Sequence, residues 1–198
     1  MIARVLIDFK DRATPEVNRV ISAMKPDKVA PVIGPRLRET VRDHLKQNPR
    51  NKKGWPSTGF WEDAARATTW TADGSTVTIK INKVGVRQRY YGGPIKPVHA
   101  KFLTIPIASQ AYGKTVADFP GSFLITTAKG EYIVQYAGSI GKRGRANKSN
   151  STLEFLFKLS KGVMQHENRS IIPDSTTLTA TAIKACEEHF RRAKAGGA

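Results

Sequence analysis

Residues Arg89–Ile107, RYYGGPIKPVHAKFLTIPI, decide how the rest of the chain is read. Two tyrosines lead into Gly92-Gly93-Pro94, Pro97 turns the chain again, and Phe102-Leu103-Thr104-Ile105-Pro106 follows as an apolar strand. Paired glycines open positive φ to the backbone, and the prolines stiffen the connection at fixed φ. No catalytic constellation lies in the stretch. It reads as a shaped loop that presents a strand, so the chain is expected to act through shape and contact.

Upstream, Val5–Phe9 reads as a first strand. Thr14-Pro15-Glu16 is a helix start, with Thr14 as N-cap, Pro15 at the first helical position and Glu16 at the positive end of the dipole. Val17, Val20, Ile21 and Met24 recur at helical spacing until Lys25-Pro26 closes the segment. A second helix is expected from about Pro35 to Gln47, with Val29 as an earlier possible start, because Gly34-Pro35 reads as a break. Leu37, Val41 and Leu45 form its apolar stripe. Residues 48–57, NPRNKKGWPS, read as a basic loop with an exposed Trp55 that orders against a neighbouring subunit. A short helix follows from Phe60, then a hairpin that turns at Asp73-Gly74, with Val77, Ile79 and Ile81 alternating.

Downstream, SQAYGKTVADFPG is an irregular connection, and Ser122–Thr127 and Tyr132–Tyr136 form a second hairpin around Lys129-Gly130. Residues 137–152 contain Lys142, Arg143, Arg145 and Lys148 without an acid and read as a long mobile loop. Leu153–Leu159 reads as a central strand. A closing helix spans about Ser175 to Ala193, with Leu178, Ala182, Cys186 and Phe190 on one face and Arg191, Arg192 and Lys194 at its C-terminal end. This order predicts an α+β fold: a mainly antiparallel sheet, N-terminal helices, a packed C-terminal helix and long loops. The 198 residues are expected to form one domain, with 1–58 as a helical part and 59–198 as the α+β core.

The formal charge of +17 bounds the partners. A charge of that size opposes association of like chains unless counter-charge is supplied, as nucleic acid or an acidic protein surface would supply it. The bland alternative is a solvated basic surface. One cysteine, Cys186, precludes a disulfide within the chain and reads as a small buried hydrophobe, which fits a reducing cytoplasm. The N-terminal apolar run of about five residues is too short for a signal peptide or a membrane span. His44, His99, His166 and His189 are scattered, with no ligand-spaced partner, so no metal is expected. No phosphate-binding glycine loop and no facing carboxylates are found, so neither a cofactor nor catalysis is expected, and Asp63 and His99 are the residues on which a hydrolase reading would depend. Arg50, Lys52 and Lys53 beside Trp55, and Lys142, Arg143, Arg145 and Lys148, are the candidates for contact with DNA or an acidic partner.

The sequence Tyr90-Tyr91-Gly92-Gly93-Pro94-Ile95, Pro97, then Ala100-Lys101-Phe102-Leu103-Thr104-Ile105-Pro106, resembles a pattern in tailed-bacteriophage virion morphogenesis proteins. These are the neck, tail-completion, head–tail joining and minor tail proteins. EFLFKLSKGVMQ, followed by Ile172-Pro173-Asp174 and a closing helix, is similar to the C-terminal half of that family. The resemblance runs from about Gly59 onward and leaves out the Trp55 region and the 137–152 loop. It implies a non-enzymatic ring, six-fold, at the head–tail junction or the head-proximal end of the tail. The implied neighbours are connector, tail terminator or tail tube proteins, with DNA passing through the lumen and no membrane involved. It implies a virion component made in the host bacterial cytoplasm. Tyr90, Tyr91, Gly92, Gly93, Pro94 and Pro97 would then fix an assembly loop that Phe102, Leu103 and Ile105 anchor in the core. The alternative is a basic DNA-binding protein with no place in a virion.

Overall fold

A computed structural model describes residues 13–48, 54–137 and 152–195. The expected strand at Val5–Phe9, the cations Arg50, Lys52 and Lys53, and the basic loop with Lys142, Arg143, Arg145 and Lys148 lie outside these residues. In chain order the elements are α1 (Ala13–Ala23), α2 (Pro26–Gln47), α3 (Phe60–Arg66), β1 (Thr68–Asp73), β2 (Thr76–Ile81), α4 (Val86–Tyr91), β3 (Gly93–Ile95), β4 (Leu103–Pro106), β5 (Phe123–Thr127), β6 (Gly130–Ala137), β7 (Thr152–Ser160), β8 (Val163–Gln165) and α5 (Ser175–Lys194). Helices with antiparallel sheets and a closing helix make the fold α+β, as the sequence order predicts. The described residues form two compact units: 13–47, 61–84 and 170–195, and 48, 54–60, 85–137 and 152–169.

In the first unit α2 is the central element. Pro26 opens it, and the Lys25 carbonyl accepts from the Lys28 and Val29 amides at 2.9 and 3.1 Å. The helix then runs unbroken through Pro31 and Pro35, which corrects the expected start at Pro35. The two prolines forgo bonds to the Asp27 and Pro31 carbonyls, and both of those residues are exposed. Ala30, Gly34, Val41 and Leu45 are the buried residues of the helix. Gly34 is thus a packing residue and not a break. A Cβ there would meet the Trp70 indole of β1 at 2.2 Å.

The expected β1–β2 hairpin is present, in register from Thr68↔Ile81 to Asp73↔Thr76, so its two-residue turn is Gly74-Ser75, one position later than read. Thr68 is buried and donates its hydroxyl to the Ala64 carbonyl at 2.9 Å. The Asp174 side chain caps α5 by accepting from the Thr177 amide at 2.8 Å. The buried residues of α5 are Ala185 and Ala193. Cys186, read as buried, is only half-buried beside Ala185. His44 donates to the Ser170 carbonyl at 2.8 Å and His189 to the Ala23 carbonyl at 3.2 Å, so both imidazoles tie chain segments together. Thr14 and Pro15 lie inside α1, on which Val17 and Ile21 are exposed, as is Met24 just after it.

The second unit is built on a four-stranded antiparallel sheet in the order β4-β7-β6-β5. As expected, β7 is central. Its register with β6 slips between Ile133 and Val134, which pair with Phe157 and Phe155, so Leu156 is an extra residue in the ladder. The bulge lets Leu156 and Phe157 be buried in succession, where strict alternation would expose one of them. The Leu156 carbonyl accepts from the Ile107 amide at 2.9 Å. Ala111 completes this core, with Ala108, Val116, Phe119 and Ile133 packed around it. Phe119 meets Phe157 edge-on at 5.7 Å between ring centroids. Burying the Phe157 side chain contributes roughly 2–3 kcal/mol. Trp55 does not stand exposed for a neighbour: it is half-buried and meets Tyr112 of its own unit edge-on at 5.4 Å.

Candidate functional site

The stretch that opened the sequence reading folds into a clasped corner of the second unit. Gly85, at φ 92°, starts α4, and Gly92, at φ 70°, ends it as its amide donates to the Gln88 carbonyl at 2.9 Å. Tyr90 and Tyr91 therefore belong to a helix. Gly92-Gly93-Pro94 is a helix end that runs straight into a strand, where the sequence suggested a turn. That strand, β3, pairs antiparallel with β8, Gly93↔Gln165, Pro94↔Met164 and Ile95↔Val163.

The corner is held from three sides. A Cβ on Gly92 would lie 2.6 Å from the Glu167 amide nitrogen and 2.8 Å from the Gln165 carbonyl oxygen, so only glycine admits this approach of backbone to backbone. The Gln88 side-chain amide donates to the Gly92 and Gly93 carbonyls at 3.0 and 3.2 Å. The Asn168 amide donates to the Arg89 and Tyr90 carbonyls at 3.1 and 3.3 Å. Beyond it, the Arg169 guanidinium lies 4.7 and 4.9 Å from the ring centroids of Tyr90 and Tyr91, which meet edge-on at 4.9 Å. The Tyr90 side chain first, and then Glu167, hold Arg169 above the ordinary arginine pKa. On the other side of α4, Arg89 stacks on Phe60 at 4.5 Å. Gln88, Asn168 and Arg169 carried no signal in sequence, because their roles depend on β8, whose three residues are too few to show a period.

Of the remaining expected residues, Pro97, Phe102, Leu103 and Ile105 are half-buried. Leu103 and Ile105 lie on β4, an edge of the four-stranded sheet that pairs with β7 alone. In this unit the fully buried side chains belong instead to β6, β7 and Ala111. The corner exposes apolar groups: Tyr91 is 58% exposed, Met164 66% and Val98 85%.

Among the described residues no group of three or more His, Cys, Asp or Glu could hold a metal ion, and no helix is long and apolar enough to cross a membrane. His99 is exposed on the segment after β3. Asp63 pairs with Lys83 at 2.8 Å and with Arg66, and these two cations, Lys83 first, hold its carboxyl below the usual range. Its place is in an ion triplet of the first unit. No protein-family model, curated protein or solved structure matches the chain.

Proposed function

We propose that this chain is a structural protein of a tailed-phage virion that assembles as a ring at the head–tail junction or the head-proximal end of the tail. One observation carries the reading. The motif that resembles the morphogenesis proteins folds as a fixed corner, and its β3–β8 ribbon has only two strands among the described residues, so each strand keeps an open edge. On the ribbon, exposed Pro94 stands opposite exposed Met164. A neighbouring subunit can add a strand to such an edge and cover the apolar groups beside it. Because Gly92, Gln88 and Asn168 fix the ribbon before assembly, little ordering cost remains for docking. DNA in the lumen, or an acidic connector face, would supply the counter-charge that a +17 subunit needs to pack against its copies.

The test is electron microscopy of particles from a phage carrying an early nonsense mutation in this gene. DNA-filled heads beside separate tails would support a place at the junction. Absent or misshapen tails would move the protein into the tail. Intact, infectious particles would overturn the proposal in favour of a DNA-binding protein with no virion role.

A further inference from the structure

From Gly85 to Lys101 the chain carries four cations, Arg87, Arg89, Lys96 and Lys101, and no carboxylate; all four are exposed. In the first unit several cations meet acids: Arg36 with Glu188, Arg38 and Arg42 with Glu39, Lys46 with Asp43, Lys83 with Asp63. On the α4 corner the carboxylate at hand is Glu167, 3.4 Å from Arg169. Cations thus outnumber carboxylates on the corner.

The shape of that feature is as informative as its charge. Gly85, Arg87, Gln88, Tyr91 and Gly92 line an open depression of about 520 Å³. It presents a guanidinium, a phenol and glycine backbone side by side. A further guanidinium, of Arg169, lies over the Tyr90 and Tyr91 rings, so it gives up little side-chain freedom when it meets an anion.

We propose that the α4 corner is a docking surface for the sugar–phosphate backbone of duplex DNA, with Arg87 and Tyr91 at its centre. Arg87 takes a phosphate through its planar fork, and the Tyr91 hydroxyl donates to the same strand while its ring packs on deoxyribose. Cations on α4, after β3 and along the following segment suit a continuous row of phosphates, and an acidic protein patch would need fewer of them. With no base-reading element at the corner, the binding is independent of sequence and falls with salt. The site's residues are other than those of the basic segments 50–53 and 142–148. It is also separate from the ring, since a lone subunit presents the same face.

The experiment is fluorescence anisotropy of a short labelled DNA duplex with the full chain, over a salt series, with circular dichroism to confirm folding. Arg87→Ala and Lys96→Ala are each expected to weaken binding about threefold to tenfold and to lower the log K against log salt slope by about one. Tyr91→Phe should weaken binding without changing the slope. Lys129→Ala, an exposed cation in the β5–β6 turn, should match the wild type. The proposal is overturned if Arg87→Ala behaves as Lys129→Ala does while neutralising Lys142, Arg143, Arg145 and Lys148 removes the affinity. It is equally overturned if polyglutamate displaces the duplex charge for charge, which would assign the face to an acidic protein. Mass photometry of the same samples reads ring formation separately, so a monomer that shows the Arg87 effect keeps this inference and removes the ring.

Discussion

Replacing Gly34 by alanine should destabilise the first unit, although the usual rule for a helix interior points the other way. Alanine is favoured over glycine there by about 1 kcal/mol. At Gly34, however, the added Cβ would lie 2.2, 2.6 and 2.7 Å from Cε3, Cζ3 and Cδ2 of Trp70. Carbon atoms in contact are separated by roughly 3.5–4.0 Å, so the indole must move by more than about 1 Å. Overpacking of this kind costs about 1–3 kcal/mol. The clash is with the fused, rigid part of the ring, which places it at the upper end. Subtracting the propensity gain leaves a net loss of about 1–2 kcal/mol.

Urea unfolding followed by far-UV circular dichroism would measure this, and a double-mutant cycle would identify the cause. Trp70→Ala empties the space that the methyl group needs. In that background Gly34→Ala should become stabilising by up to about 1 kcal/mol. A higher midpoint for Gly34→Ala in the wild-type background would refute the reasoning. So would an effect of the same sign whether or not Trp70 is present.

Two other substitutions test the clasped corner and the α5 cap. Gly92→Ala combines a left-handed φ with backbone atoms at 2.6 and 2.8 Å, so a loss of at least about 2 kcal/mol is expected. Hydrogen exchange at the Asn168 amide should accelerate; unchanged protection would show that the corner does not depend on glycine. Asp174→Ala should lower Tm by a few degrees at neutral pH and increase fraying of the first turn of α5. The Asp174 carboxyl is held below its ordinary pKa by the Thr177 side chain first and then by the Thr177 amide. A lowered folded-state value means that its stabilisation is complete above the ordinary aspartate range and is lost as pH falls through the folded-state value. The wild-type and Asp174→Ala melting curves should therefore converge in acid; a constant gap at every pH would rule out the charged cap.

Much of the fold could be read because its signals are local. Asp73-Gly74 between alternating segments marks the β1–β2 hairpin, and Lys129-Gly130 marks β5–β6, since turn chemistry and period lie within a few residues of each other. The length of α2 was hidden for the opposite reason. Pro31 and Pro35 are breakers by local rules, but the residues whose carbonyls they leave unbonded are exposed, and the helix is held by contacts with a hairpin more than thirty residues away. Tertiary packing overrode local propensity. The successive burial of Leu156 and Phe157 is a similar case, since a bulge is a property of two strands and only one can be read at a time.

The corner shows where legibility ends within a single motif. Gly92 and Gly93 announce unusual backbone, and both have positive φ. What the sequence does not contain is the reason for each glycine. Gly92 is required because the chain at Gln165–Glu167 passes against it, and that approach depends on a pairing of strands about seventy residues apart. The cations carry a matching lesson. A block such as 142–148 attracts attention because its charges are adjacent in sequence. Arg169 comes to lie over the Tyr90 and Tyr91 rings only after α4 is closed against the segment that follows β8. Sequence patterns find charges that are consecutive, whereas the fold selects those that are held still, and a surface that must grip a uniform polyanion draws its affinity from the second kind.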